Sequence, residues 1–170
     1  MRLPLIITLI ASPLLLAINP ASAQNSPAGA KPASDAKVWG ALVYAADPAE
    51  TDLPDGVATN AVAFDDISTR LGKVFPDKKF ILLGEHTQDI FREYESWVVP
   101  SKHLFAKIDS KGRDPEDRLL LHLQFWHDED VIAKADAVLE AGSPLFIGGP
   151  KWRNGRLILV VLLAGDKKDS

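Results

Sequence analysis

The feature that most limits the possible folds is an uninterrupted apolar run near the end of the sequence, Leu157–Ala164. A strand with one solvated face alternates apolar and polar residues, so a run with no polar residue predicts a central strand covered on both faces. Asn154-Gly155 precedes this run, and a shorter apolar segment, Pro144–Ile147, lies before that pair. An Asn-Gly pair between apolar runs favours a hairpin with a type I′ turn, because both residues tolerate positive φ. The sequence therefore predicts a hairpin that forms part of the core.

Four further stretches are rich in β-forming residues or alternate with a period of two, and strands are expected there. They are Val38–Ala45, Phe80–Leu83, an interrupted strand over Trp97–Val99 and Lys102–Asp109, and Arg118–Trp126. The last of these alternates most clearly. One of its faces carries only apolar residues and is expected to lie on the core: Leu119, Leu121, Leu123 and Phe125.

One amphipathic helix is predicted over Ala61–Phe75. Its apolar residues recur at helical spacing and form a stripe that would face a sheet: Phe64, Ile67, Leu71 and Val74. Pro76 then ends the segment, because proline cannot continue the hydrogen-bond pattern of a helix.

The segment Val131–Glu140 permits two structures. Its Ala, Leu, Lys and Glu content favours a helix capped by Gly142, whereas its alternation favours a strand. The short turn His127–Asp130 suits a hairpin, so the strand is the preferred prediction and a second helix at 131–140 is the alternative. The predicted fold class is α+β. It is a two-layer domain in which a β-α-β unit precedes an antiparallel β-meander, with the helix 61–75 on one sheet face.

The N-terminal 23 residues contain the three parts of a secretory signal peptide in order. Met1-Arg2 is a short positive start, Leu3–Ile18 is mostly apolar, and positions 21–23 form an A-x-A cleavage motif. The alternative is a membrane anchor, but a helical span needs roughly 20 apolar residues. We therefore expect cleavage before Gln24 and a periplasmic or extracellular location.

The predicted domain organisation follows from this cleavage. Residues 1–23 are the signal peptide, and residues 24–36, rich in Pro, Ala and Ser, are a flexible linker. Residues 37–165 form a single α+β domain, and residues 166–170 are a charged tail. Insertion of the mature chain into a membrane is not expected, since the apolar run at its end is too short for a helical span.

Composition excludes several classes of function. The sequence contains no cysteine, so disulfides, thiolate metal sites, a cysteine nucleophile and a lipoprotein anchor are all ruled out. The formal net charge is −4 at pH 7. An acidic chain without long basic clusters argues against nucleic-acid binding, which depends on Lys and Arg neutralising phosphates. It argues equally against a polybasic membrane surface.

Catalytic and metal-binding patterns receive little support. Glu85-His86 follows a predicted strand and could act as an acid/base pair, although polar residues also simply mark where a strand leaves the core. His122 and His127 lie near acidic residues, but side chains five apart on a strand point to opposite faces. No zinc-site spacing occurs. We therefore predict no metal, no cofactor and no enzymatic activity.

The most informative cluster surrounds the predicted hairpin turn. It contains Lys151, Trp152, Arg153 and Arg156, a basic group with one aromatic residue in an acidic protein. These residues could bind an anionic ligand or the carboxylates of a partner, with Trp152 as an interface anchor. The alternative is a solubilising hairpin tip whose tryptophan covers the sheet edge.

The segment Glu140–Gly149 resembles the secretins, in which a glycine turn and a strand ending in Ile-Gly-Gly open a hairpin. The Pro/Leu-rich gate segment that follows in that family is absent here. The resemblance therefore assigns no family to the chain.

The sequence as a whole predicts a non-enzymatic binding or interaction domain of the bacterial cell envelope, with a possible protein partner there. Two alternatives remain. One is an accessory domain of a secretion or pilus apparatus, which would need an exposed sheet edge for strand addition. The other is a small enzyme or ligand carrier that uses Glu85 and His86.

Overall fold

The computed structural model describes residues 34–56, 62–76 and 78–164. These ranges contain eight strands and one helix. In chain order they are β1 (Ala36–Ala46), α1 (Val62–Val74), β2 (Lys79–Ile90), β3 (Ser96–Val98), β4 (Leu104–Arg113), β5 (Leu119–His127), β6 (Asp130–Leu139), β7 (Leu145–Trp152) and β8 (Gly155–Leu163). The signal peptide, most of the linker and the charged tail predicted from the sequence lie outside the described residues.

The strands form two antiparallel sheets of four strands each. The first sheet has the order β2-β1-β8-β7, and the second has the order β3-β4-β5-β6. With one helix beside these sheets, the fold is of the α+β type. The sequence pattern did not divide the strands between two sheets, because alternation shows which residues of a strand are buried but not which strand lies beside it.

The main hydrophobic core contains buried side chains from both sheets. Val38, Tyr44 and Leu159 come from the first sheet, and Ile108 and Phe125 come from the second. Each sheet thus buries one face in a shared core, as paired antiparallel sheets do. The predicted core face of β5 is confirmed, since each of its four apolar residues is almost fully buried.

A second, smaller core cluster joins α1 to residues on the other face of the first sheet. Ile67 and Leu71 of α1 are buried in it together with residues of β1, β2 and β8. The helix itself was predicted correctly to within a residue at each end, and Ala61 lies outside the described residues. Val74 is 57% exposed although the pattern placed it on the buried stripe. It is the last helical residue, and Phe75 packs against the cluster in its place.

The prediction of a central apolar strand near the end of the sequence is confirmed. β8 lies between β1 and β7, and every residue of Leu157–Val161 is buried. Alternate residues of this run enter the two core clusters, Leu159 on one face and Ile158 on the other. A polar residue at any of these positions would be buried on whichever face it pointed to.

The predicted hairpin between β7 and β8 is present, but its turn is placed one residue earlier than expected. Trp152 pairs with Gly155, so the two turn residues are Arg153 and Asn154. Arg153 adopts the positive φ, 49°. Gly155 belongs to β8, where an added Cβ would lie 2.1 Å from the carbonyl oxygen of Ala45. The glycine is therefore required by the close approach of β1 rather than by the turn.

Two other predictions were decided by strand pairing. The segment 131–140 is a strand, β6, and pairs along its length with β5, so the preferred prediction is confirmed and the alternative helix is wrong. The interrupted strand over Trp97–Asp109 is instead two antiparallel strands, β3 and β4, with Val98 opposite Ala106. Pro100 lies in the reversal between them, where its missing N–H interrupts no ladder.

The backbone of Pro100 also approaches β2 closely. A Cβ added to Gly84 would lie 2.0 Å from the Pro100 carbonyl oxygen, a backbone atom that cannot rotate away. Gly72 in α1 offers a contrast, because the nearest atom to its added Cβ, on the Phe80 ring, is 4.0 Å away.

We therefore expect Gly84→Ala to lower the free energy of unfolding by roughly 1–3 kcal/mol, as overpacking does. The matched control, Gly72→Ala, should raise it by about 0.5–1 kcal/mol, because alanine loses less conformational entropy in a helix. Urea unfolding of the two variants and the unmodified protein measures both changes. A Gly84→Ala variant as stable as the unmodified protein would show that β2 and the Pro100 turn are not in contact.

Candidate functional site

The structure separates the four predicted residues of the hairpin end onto two faces of the first sheet. Lys151 and Arg156 are directly opposite each other in the β7–β8 ladder. Arg156 also pairs with Ala45, which belongs to the cluster shared with α1. Trp152 packs against the main core on the other face. The tertiary structure therefore brings the Lys151 and Arg156 side chains together and directs Trp152 away from them.

Trp152 has an internal packing role. Its ring meets the buried Tyr44 ring edge-on, with centroids 4.8 Å apart. Edge-to-face packing of this kind is favourable for aromatic pairs. The side chain is half-buried, and this arrangement corresponds to a tryptophan that covers the sheet edge.

Arg153 joins the hairpin to the loop that follows β1. Its guanidinium lies 4.9 Å from the centroid of the Trp152 ring and donates a hydrogen bond of 2.6 Å to the carbonyl oxygen of Asp52. The carboxylates of Asp52 and Glu50 lie 3.6 and 3.8 Å from it. The charge of Arg153 is therefore already compensated by two acids.

Glu50 connects the loop that follows β1 to the buried Tyr44. Its side chain is only 6% exposed, and its carboxylate accepts a hydrogen bond from the hydroxyl of Tyr44. Burial, followed by the hydrogen bond to Glu50, raises the pKa of Tyr44 to about 12. Tyr44, Glu50 and Arg153 thus hold the loop against the end of the hairpin.

This arrangement predicts the titration of Tyr44. The sequence contains two tyrosines, so Tyr94→Phe leaves Tyr44 as the only one. The tyrosinate absorbance of this folded variant should rise with a midpoint at about pH 12, against about 10 in an unfolded chain. Because the pKa of Tyr44 is higher in the folded than in the unfolded chain, protonated Tyr44 stabilises the folded state. This contribution to the free energy of unfolding is present below about pH 10 and is lost as the pH rises towards 12. A midpoint near 10 in the folded variant would contradict both the burial of Tyr44 and its hydrogen bond to Glu50.

Lys151 and Arg156 line a cavity of about 340 Å³ together with a third cation, Lys78, which follows α1. We call this cavity the cationic pocket. Its remaining lining comes from Ala45, Phe75, Asn154, Gly155 and Ile158. The volume falls within the range of about 300–1,000 Å³ typical of small-molecule sites.

The electrostatics of the cationic pocket are not balanced by the surrounding protein. Like charges directly opposite each other on neighbouring strands are destabilising, and Lys151 faces Arg156 in this way. The ion pairs among the described residues include Lys78 with Asp47, at 3.5 Å, but neither Lys151 nor Arg156. A bound anion would relieve this repulsion.

Lys78 was missed by the sequence analysis. It lies far from the hairpin in the chain, between the predicted helix 61–75 and the predicted strand Phe80–Leu83. No local spacing connects it to Lys151 or Arg156. Only the packing of the α1 region near the β7–β8 hairpin places the three cations around one cavity.

Glu85 and His86 are not brought together. β2 continues to Ile90, so both residues lie within the strand rather than at its end, and neighbouring strand residues point to opposite faces. The indole Nε1–H of Trp39 donates to Glu85 at 2.8 Å. The backbone N–H of Val99 donates to Nδ1 of His86 at 3.1 Å. Their side chains therefore do not form the acid/base pair considered from the sequence.

The three remaining histidines lie beside acids of the second sheet or its turns. His103 and His127 share Asp128, at 2.6 and 3.6 Å, and His122 lies 3.0 Å from Asp136. Within residues 34–56, 62–76 and 78–164, no group of three or more His, Asp or Glu side chains is arranged to hold a metal ion.

A search for membrane-spanning helices gave no candidate among the described residues, whose single helix is too short and too polar to cross a bilayer.

Comparison of the chain with protein-family models, with curated proteins and with solved structures found no match. The interpretation of the cationic pocket therefore depends on its geometry and charge.

The repulsion between Lys151 and Arg156 can be measured. Lys151→Glu replaces it with an attraction across the same ladder position, and we expect the free energy of unfolding to increase by roughly 0.2–1 kcal/mol. The matched control is Lys134→Glu on β6, whose cross-strand neighbour is the uncharged Gln124. Urea unfolding compares the two variants, and a Lys151→Glu variant that gains nothing over the control would show that the two cations do not repel.

Proposed function

We propose that this protein is a non-enzymatic binding domain exported to the bacterial cell envelope, and that it binds a negatively charged group of its partner in the cationic pocket. The observation that carries this proposal is the convergence of Lys78, Lys151 and Arg156 on one cavity. These three cations line a single cavity although the net charge of the chain is −4.

The position of the pocket supports a binding role. We infer that α1 packs across the outer face of the first sheet, an inference supported by the buried cluster that Ile67 and Leu71 share with β1 and β8. The pocket then lies between the end of this helix and the end of the β7–β8 hairpin. Because Arg153, Glu50 and Tyr44 hold the hairpin from the other face, its two cations are presented by a constrained element. Such preorganisation favours binding.

Export is supported by the three signal-peptide features of residues 1–23. These residues lie outside the described ranges, so this part of the proposal depends on the sequence alone. The absence of cysteine from the sequence is compatible with export without a lipid anchor. The proposed location is therefore the periplasm or the extracellular side.

A second candidate function is strand addition by a partner, as in an accessory domain of a secretion or pilus apparatus. The edge of the second sheet favours it, because β6 is a ten-residue edge strand. Two large apolar side chains on this strand, Ile132 and Val138, are exposed. β7, one of the two edge strands of the first sheet, is a poorer template, since its pairing is irregular between Gly148 and Lys151 and it contains Pro150.

The binding role is tested by using the purified, tagged protein to capture partners from a detergent-solubilised envelope extract. Sequencing of the N-terminus of the purified protein tests export, since cleavage of the signal peptide should leave Gln24 as the first residue. We expect Lys151→Gln/Arg156→Gln to reduce the captured partner at least roughly tenfold, since the loss of one charge-assisted hydrogen bond lowers affinity by about that factor. The control variant, Lys37→Gln/Lys102→Gln, removes the same charge from exposed positions outside both the pocket and β6 and should capture the partner normally.

Two results would contradict the proposal. If all three proteins capture the same partner equally, binding lies elsewhere, and the edge of β6 becomes the favoured surface. If none of them captures a partner, a binding role in the envelope loses its support.

A further inference from the structure

We infer that the ligand of the cationic pocket is a phosphate monoester, with its phosphoryl group held between Lys78, Lys151 and Arg156 and its organic group against the apolar wall. This inference builds on the proposed function, because it names the class of ligand for the same pocket. Three properties of the cavity support this inference: its charge, its hydrogen-bonding groups and its apolar lining.

The charge of the pocket matches a doubly charged anion. Three cations line it, and within the described ranges Asp47 is the one carboxylate in ion-pair contact with any of them, at 3.5 Å from Lys78. The Ala49 backbone N–H, with the charge of Lys78, holds the pKa of Asp47 below its usual range, so this acid is ionised. The excess is therefore two positive charges. A carboxylate or a phosphate diester would neutralise one of them, whereas a phosphate monoester carries about −1.5 to −2 at pH 7.

The polar groups of the pocket are mainly donors. The guanidinium of Arg156 offers a planar fork of N–H groups that suits phosphate oxygens, and each lysine ammonium offers three further donors. The phosphoryl group of a monoester accepts hydrogen bonds and, when doubly charged, donates none. Because Lys151 and Arg156 are opposite each other on paired strands, both can reach one phosphoryl group at the same time.

The apolar part of the lining distinguishes an ester from free phosphate. Phe75, which is half-buried, lines the same cavity as the cations, and the buried side chains of Ala45 and Ile158 lie behind it. Inorganic phosphate would leave the exposed part of Phe75 in contact with water, whereas an ester could cover it with its organic group. Burial of apolar area is favourable, so an ester with an apolar or aromatic group should bind more tightly than phosphate alone.

The inference is tested by isothermal titration of the purified protein with phenyl phosphate. Benzoate, diphenyl phosphate and inorganic phosphate are the comparison ligands. We expect phenyl phosphate to bind at least roughly tenfold more tightly than benzoate and diphenyl phosphate, because one charge-assisted hydrogen bond changes affinity by about that factor. It should also bind more tightly than inorganic phosphate, because its ring covers apolar surface of Phe75. Lys151→Gln/Arg156→Gln should weaken phenyl phosphate binding by at least roughly tenfold, and Lys37→Gln/Lys102→Gln should leave it unchanged. Amide NMR shifts at Asn154 and Gly155 would place the ligand in the pocket.

Two sources of the ester are distinguished by vesicle binding. Phosphatidic acid carries a phosphomonoester headgroup and phosphatidylglycerol a diester, so the two are compared in phosphatidylcholine vesicles. Binding that requires phosphatidic acid would support a lipid headgroup as the source. Binding of phenyl phosphate without binding to either vesicle would support a soluble phosphorylated molecule.

The inference is overturned if phenyl phosphate binds no better than benzoate or inorganic phosphate, or if the pocket variant binds it normally. Its failure is separable from that of the proposed function. If the pocket variant loses the envelope partner but the unmodified protein does not bind phenyl phosphate, the pocket is the binding site and the ligand class is wrong. If the pocket variant retains both the partner and phenyl phosphate, the pocket is not the site and both proposals fail.

Discussion

The structure depends on the burial of both faces of β8 and of its neighbour β1. Alternate residues of these two strands enter the main core shared with the second sheet and the smaller cluster that contains Ile67 and Leu71. Apolar burial on both faces is the largest favourable term in a chain that has no cysteine for disulfides. Since β8 also begins at the hairpin end, the same packing that forms the core determines where Lys151 and Arg156 are placed.

The two faces of the hairpin end differ in how well their side chains are satisfied by the rest of the protein. On the inner face, Trp152 packs on Tyr44, and the buried Glu50 links Tyr44 to the loop that Arg153 also holds. On the outer face, Lys151 and Arg156 keep a like-charge pairing that stability alone would disfavour. This combination of a tightly held inner face and an electrostatically unbalanced outer face supports the proposed binding role, because functional sites often retain features that lower stability.

Much of the fold could be predicted from local patterns. Three elements were predicted because the spacing of apolar residues within each one shows which faces are buried. They are the helix over 61–75, the alternating strand β5 and the apolar strand β8. The turn of the β7–β8 hairpin was misplaced by one residue, because the Asn154-Gly155 pair fits a turn while the close approach of Ala45 to Gly155 depends on another strand. The candidate site was predicted only in part. Lys151 and Arg156 were found from their proximity in sequence, whereas Lys78 was not.

The sequence by itself determined which residues of each element are apolar, and therefore which elements must be buried on one face or on two. The tertiary structure alone decided that the strands divide into two sheets, that Trp152 and Arg153 act internally, and that Lys78 joins Lys151 and Arg156. The physical reason is that hydrophobic burial has no direction and does not specify a partner. Strand pairing and close packing choose the partners, and side chains distant in the chain meet only after that choice.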